Sequence, residues 1–221
     1  MTAAARAMLL AAAIAALPVA GPAAAADAHR GPVVSLLELR QQSVVVQKYD
    51  LSCGAAALAT LLRYQYGDPV TEREITRGLI SRKEYIEHPE LVRVRQGFSL
   101  LDMKRFVESR GYEGVGYGKL EFADLLRLAP IIVPVSPVGY NHFVIFRGAL
   151  GGEVLLADPA YGNRTMSREK FERVWIEFPN FGRVGFIVAR KGEPRAASLL
   201  APKPDLFVAP TSAMVRQALP F

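Results

Sequence analysis

The most abrupt change of pattern in the chain lies between Val44 and Leu62. A β-branched run, Val44-Val45-Val46, gives way to the polar Gln47-Lys48-Tyr49-Asp50 and then to an Ala- and Leu-rich segment that starts at Cys53. There Leu58, Leu61 and Leu62 form an apolar stripe, and the small Ala55, Ala56, Ala57 and Ala59 allow neighbouring elements to come close. The pattern predicts an extended segment over 44–47 and a helix from Cys53 to about Tyr66, ended by Gly67-Asp68-Pro69. Ser52, or Asp50 two residues earlier, is placed to cap that helix. Either cap leaves Cys53 in the first turn, where unpaired N–H groups and the helix dipole favour a thiolate. Cys53 is the only cysteine. A free cysteine is most often a small buried packing residue, so a catalytic role has to be argued from its partners.

The first residues bear on that argument. Arg6 is followed by an apolar run to Ala20, then by Pro18, Gly21 and Pro22 as breakers and by Ala24-Ala25-Ala26 as a small-x-small site. This order predicts a signal peptide over residues 1–26, cleaved before Asp27 or kept as an anchor, and hence export to the periplasm. No cysteine lies near the cleavage site, which excludes a lipoprotein, and no segment of the mature chain reaches membrane-spanning length. An odd cysteine in an exported protein is a reactive thiol or an intermolecular bridge more often than an idle one. The formal charge of +6 falls by one to +5 without Arg6, and the basic residues are scattered. That excludes a nucleic-acid partner and leaves a mild attraction to anionic envelope surfaces.

The mature chain predicts one α+β domain over 27–191, helices first and strands later, with a Pro-rich tail over 192–221 that holds five prolines. Val33 to Leu39 reads as a short edge strand or a turn of helix. Thr71-Glu72-Arg73-Glu74 is a capping-box pattern before a short helix to about Ile80, and Ser99 caps another that stops at Gly111. The charged stretch 81–96 has no period and reads as a surface excursion. Tyr112 to Tyr117 is a strand and Glu121 to Leu128 a helix. Strands follow at 131–135, 142–147, 153–157 and 183–190, with a Ser167-capped helix to Trp175 before the last.

A cysteine nucleophile needs a base, a group that orients the base, and donors for the oxyanion. His29 lies in a polar leader and His88 beside Pro89 in the charged stretch, both surface positions. His142 opens an alternating strand after the turn-rich Pro137-Val138-Gly139-Tyr140-Asn141. Asp158 ends the next strand, where a turn-starting Asp before Pro is the ordinary alternative. The two share a face only if paired residues across the hairpin sum to an even number. That requires a three-residue loop centred on Leu150 or Gly151, and a two-residue Gly151-Gly152 turn would separate them unless a bulge compensates. The Cys53 N–H and the Gln47 side chain, six residues earlier, are the candidate oxyanion donors. With one cysteine and no His-x-x-x-His pair no metal is expected, and no glycine-rich nucleotide loop or other cofactor signature is present.

The ordered set Gln47, Cys53-Gly54, Gly97-Phe98-Ser99-Leu100-Leu101-Asp102-Met103-Lys104, Asn141-His142-Phe143-Val144 and Asp158-Pro159-Ala160-Tyr161-Gly162 resembles the bacteriocin-processing, or double-glycine leader, cysteine peptidases. The resemblance covers roughly Val45 to Arg190. It implies a papain-like fold, with Cys53 as nucleophile, His142 as base, Asp158 as its orienter and Gln47 as oxyanion donor. It further implies cleavage of an extended peptide after small residues such as Gly-Gly, a peptide or protein substrate, and secretion-system components as partners. Two departures stand out. Ser52 occupies a position where transporter-fused members often have Asp, and the chain carries neither their membrane spans nor their ATPase. It looks instead like the standalone exported branch that includes the peptidase of functional-amyloid secretion. A cell-wall amidase or transglutaminase on the same fold, and a non-cleaving substrate-binding or secretion-assisting module, are the alternatives. Degenerate members of the latter kind have lost the cysteine that this chain keeps.

Overall fold

The computed structural model describes residues 35–203 of the chain. The predicted signal peptide, His29 and the last part of the tail lie outside the described residues.

Among the described residues six helices precede the first strand. Helix α1 (Leu36–Gln41) opens with a capping box between Ser35 and Glu38. Helix α2 (Cys53–Tyr66) spans the expected range and ends at a left-handed Gly67. Helices α3 (Glu72–Ile80) and α6 (Leu100–Ser109) also open with capping boxes, Thr71 with Glu74 and Ser99 with Asp102. The stretch expected to be irregular contains two short helices instead, α4 (Lys83–Glu87) and α5 (Leu91–Val94). At five and four residues they are too short to leave a period in the sequence. What anchors them is Tyr85, which is buried, meets Phe98 edge-on at 5.6 Å and donates to Asp102 Oδ2 at 2.5 Å.

After β1 (Tyr112–Tyr117) and α7 (Phe122–Leu128) come β2 (Ile131–Val135), β3 (His142–Leu150), β4 (Glu153–Asp158), β5 (Gly162–Ser167), α8 (Arg168–Val174), a small hairpin of β6 (Glu177–Phe178) and β7 (Gly182–Arg183), and β8 (Gly185–Arg190). An antiparallel six-stranded sheet runs in the order β1-β8-β2-β3-β4-β5. Strand β5 reads Gly-Asn-Arg-Thr-Met-Ser and lacks the alternation that marks the others, so it is found only in the structure. The two faces of the sheet take alternate residues. Ile132, Ile145, Ala157, Phe186 and Val188 pack with α2, α3 and α6. Ile131, Val133, Val144, Phe146 and Leu156 pack with α7 and α8. Among the described residues no helix is long and apolar enough to cross a membrane.

The β3–β4 hairpin corrects the expected loop. Leu150 pairs with Glu153 across a two-residue turn in which Gly151 and Gly152 have φ of 59° and 86°, a pair of positive values that suits the twist of a hairpin. Alone, this turn would put His142 and Asp158 on opposite faces. A bulge reverses the effect: Phe146 pairs with Leu156 and Gly148 with Leu155, so Arg147 is one extra residue in β3. Beyond it Ile145 pairs with Ala157, the even register, and His142 and Asp158 share a face.

The extra residue is held by two partners. Arg147 is buried, which pushes its guanidinium down to about 10, still charged at neutral pH. Its Nε donates to Leu200 O at 2.8 Å and its Nη1 to Asn163 Oδ1 at 2.7 Å. Asn163 Nδ2 in turn donates to Leu39 O at 3.2 Å and Gln42 O at 2.7 Å. Leu200 belongs to the stretch read as a tail or linker, whose described part packs on the domain. Leu200 is buried, and Gln65 bonds both Ala197 O and Leu199 N at 2.8 Å.

Replacing Arg147 with Ala leaves Leu200 O and Asn163 Oδ1 without their donor. The expected loss in urea unfolding is about 3 kcal/mol. Lys83→Ala, at a largely exposed side chain, is the control and is expected to stay within about 0.5 kcal/mol.

Candidate active site

Cys53 is a free thiol at the first position of α2 and only 2% exposed. The small Gly54 beside it lets α2 pack closely: a Cβ there would stand 3.3 Å from Met103 Cε of α6 and 3.4 Å from Phe143 Cδ2 of β3. Phe143 follows His142, and the thiol is thereby seated at the head of that strand.

The His142 ring is flanked by two groups of the site. Nε2–H donates to Asp158 Oδ1 at 2.7 Å, and the Cys53 side chain lies near enough to raise the ring's basicity. With Nε2 committed to the carboxylate, Nδ1 is the nitrogen left for the sulfur. Burial pushes the imidazolium down, and it is the largest single influence. The hydrogen bonds and charges of Asp158 and Cys53 together outweigh it and lift the ring from 6.5 to about 9. A protonated imidazole is therefore the form favoured at neutral pH.

Asp158 is buried at the end of β4 and has further donors. Ala160 N donates to Oδ1 at 2.9 Å and Arg164 Nη1 to Oδ2 at 3.2 Å. Sequence reasoning missed Arg164. It pairs with Leu156 in the β4–β5 register, two residues along from the Asp158–Gly162 pair, and so shares the face of Asp158. Recognising β5 would have revealed it. Tyr140 was also missed. Its phenol is pushed up first by burial and then by the charges of Cys53 and Asp50, which puts this half-exposed ring within electrostatic reach of the thiol.

Gln47 sits on the extended segment leading to Cys53. Its N–H donates to Pro159 O at 2.8 Å, which ties the segment to the end of β4. Its carboxamide Nε2 donates to Tyr49 O at 3.3 Å, while Oε1 is buried without a hydrogen-bond partner. Ser52 is the residue before the helix, but its side chain makes no cap bond, and Asp50 is exposed. A side-chain cap needs an extended backbone, and Ser52 has φ −95° and ψ 12°. Its hydroxyl points instead to Glu72 Oε1 at 2.5 Å and Tyr49 O at 2.7 Å. His88 is exposed and lies beside Glu90, as expected of a surface residue. Among the described residues no group of three His, Cys, Asp or Glu is placed to hold a metal.

Beside this cluster a cavity of about 410 Å³ opens onto His142 and Asn141. Phe98, Pro134, Phe143 and Ile176 line it, with Phe178 and Phe181 from the small hairpin. Such a wall suits apolar groups beside the His142 imidazole. The arrangement as a whole suits acyl transfer: a sulfur at a helix start, a charged imidazole near it, and a buried carboxylate bonded to the far side of that imidazole.

Comparison with known proteins places this geometry. The sequence model of the Peptidase C39 family matches residues 41–178. A protein of Pseudomonas aeruginosa described as a probable functional amyloid protease, FapD, is 40% identical over 175 residues, which are 79% of this chain and 72% of that one. A double glycine motif protease from an AMS/PCAT transporter, solved in complex with the leader peptide, superposes with a TM-score of 0.53 at 25% identity, covering 67% of this chain and 91% of that one. The peptidase domain of Streptococcus ComA, an ABC transporter of a quorum-sensing pathway, gives a TM-score of 0.52 at 19% identity, covering 67% and 98%, and shares the fold.

The lifted His142 value has a measurable consequence. By NMR the ring is expected to titrate at about 9. Its folded value is raised, so the stability it contributes is present below pH 6.5 and lost as pH rises through about 9. In Asp158→Asn burial remains while the main raising partner is gone, and the midpoint is expected to fall by about one unit or more.

Proposed function

The chain belongs to the Peptidase C39 family, and from that premise we propose that it is a cysteine endopeptidase that cuts an extended peptide after a small-residue pair of the Gly-Gly or Gly-Ala type. The observation that carries the reading is His142, bonded to the buried Asp158 at 2.7 Å and close enough to Cys53 at the start of α2 for the two to influence each other.

In the proposed reaction the Cys53 thiolate attacks the scissile carbonyl carbon and forms a C–S bond. The carbonyl electrons move onto oxygen, where the Cys53 N–H and the Gln47 carboxamide are the candidate donors. When the oxyanion collapses the C–N bond breaks, and the His142 imidazolium gives its proton to the departing amine. The neutral imidazole then takes a proton from water, whose oxygen attacks the thioester. Sulfur leaves as thiolate and the imidazolium is restored. Throughout, Asp158 holds Nε2–H and thereby keeps Nδ1 turned to the sulfur.

The choice of substrate draws on the relatives. One is described as a probable functional amyloid protease and another was solved with a leader peptide. They support a secreted or amyloid-forming substrate with a small-residue processing site. Residues 1–26 would export the enzyme to the periplasm, where secretion-system components would be its neighbours. Small residues at the cut fit a thiol only 2% exposed, since a bulky side chain would have to displace the wall of the site.

The test is incubation of the mature protein and of Cys53→Ala with peptides carrying Gly-Gly or Gly-Ala processing sites, the cut being located by mass spectrometry. The expected result is cleavage directly after the small pair, reduced about 10⁴-fold or more in the variant. kcat/KM is expected to fall at high pH with an apparent pKa near 9, where His142 loses its proton. Cleavage that survives Cys53→Ala, or release of ammonia without peptide cleavage, would overturn the reading.

A further inference from the structure

Glu72 opens α3 and is only 5% exposed. A carboxylate at that depth needs donors. It draws them from the short turn that joins Gln47 to Cys53. Lys48 N donates to both carboxylate oxygens, at 3.0 and 3.1 Å, and Tyr49 N to Oε1 at 3.4 Å. Ser52 Oγ is 2.5 Å from the same oxygen. The Ser52 hydroxyl is also 2.7 Å from Tyr49 O, and that carbonyl accepts from the Gln47 carboxamide at 3.3 Å. The single Ser52 hydroxyl proton is thus shared between the buried carboxylate and the carbonyl that also accepts from the side chain proposed to face the oxyanion.

The turn is not one that would keep this shape unaided. Leu51 has φ of 63°, a left-handed value that non-glycine residues adopt at a cost. On its far side Gly97 closes over it, since a Cβ at Gly97 would stand 3.0 Å from Leu51 O. Strain of this kind persists only where the surroundings over-determine the backbone. Here the surroundings are Glu72 on one side and Gly97 on the other.

We propose that Glu72 is a positioning residue for the oxyanion site: its buried carboxylate clamps the turn 48–52 and so fixes the Gln47 carboxamide relative to the Cys53 backbone N–H. Ser52 is the link, which accounts for a hydroxyl beside the cysteine that does not cap its helix. This rests on the proposed reading of Gln47 and Cys53 as oxyanion donors.

Two reactions at the same sulfur separate this role from a general structural one. Acylation by p-nitrophenyl acetate adds the thiolate to a carbonyl, builds an oxyanion, and yields a thioester and p-nitrophenolate. Alkylation by iodoacetamide forms a C–S bond as iodide leaves and builds no oxyanion. Both are measured on the wild-type protein, on Glu72→Gln and on Ser52→Ala, with Cys53→Ala as the blank. The expected result is acylation slower by about 30-fold or more in Glu72→Gln and alkylation within about threefold of wild type. Ser52→Ala keeps the carboxylate and its backbone donors, so it carries the test if Glu72→Gln does not fold, with the same direction of effect. Equal losses in both reactions, or none in either, would overturn the proposal. A wild-type protein whose Cys53 is alkylated but gives no p-nitrophenolate burst would overturn the peptidase reading itself.

Discussion

Arg147 is one residue too many for the strand it belongs to, and the relation between His142 and Asp158 depends on it. The Gly151-Gly152 turn starts the hairpin in one parity and the bulge at Arg147 ends it in the other. A side chain alternates faces with every residue, so without that correction His142 would emerge on the side of the sheet away from Asp158. The bulge costs a buried guanidinium, and that cost is offset by partners from distant parts of the chain. Leu200 lies beyond the last strand, and Asn163 in β5 is itself tied to the carbonyls that follow α1. The first helix, the sheet edge and the packed part of the C-terminal stretch thus hold one feature in common.

On that frame the electrostatics follow a consistent rule: each buried charge in or near the site is met by fixed donors or by an opposite charge. Asp158 is shared between His142 and Arg164, one oxygen each. Glu72 is met by two backbone N–H groups and a hydroxyl. For His142 the largest single influence is burial, which opposes the charged form, yet the smaller contributions of two partners on opposite sides of the ring add up to more. An imidazolium held in this way gives the thiol a charged neighbour while leaving its proton available to a departing amine.

Much of this was legible in the residues, and the failures have physical causes. The start and end of α2, the capping box of α3, the Ser99 cap of α6, and the order of helices before strands follow from patterns within a few residues of one another. Cys53, His142 and Asp158 stood out because so few residues of their types lie where chemistry needs them, and Gln47 because it ends an extended segment six residues before Cys53; the structure puts Cys53 at a helix start and His142 and Asp158 at two strand ends. The loop was misjudged because a bulge leaves no alternation to count: His142 to Arg147 reads as a regular strand. Strand β5 has polar residues on both faces, so Arg164 was hidden with it. Glu72 looked like any acidic residue in a first helical turn. Its importance comes from burial against a turn 20 residues earlier, and no local pattern records that.

The central claim is that these groups form one acyl-transfer site, with the sulfur of Cys53 at its centre and the hairpin register holding His142 and Asp158 beside it. A crystal structure of the protein with a peptide aldehyde ending in Gly-Gly tests it most directly. The expected result is a hemithioacetal on Cys53 Sγ whose oxygen lies within hydrogen-bond reach of the Cys53 N–H and the Gln47 carboxamide. His142 would keep Nε2 on Asp158 and turn Nδ1 to the adduct. No bond to Cys53, or an adduct formed with His142 and Asp158 on opposite faces of the hairpin, would contradict the account.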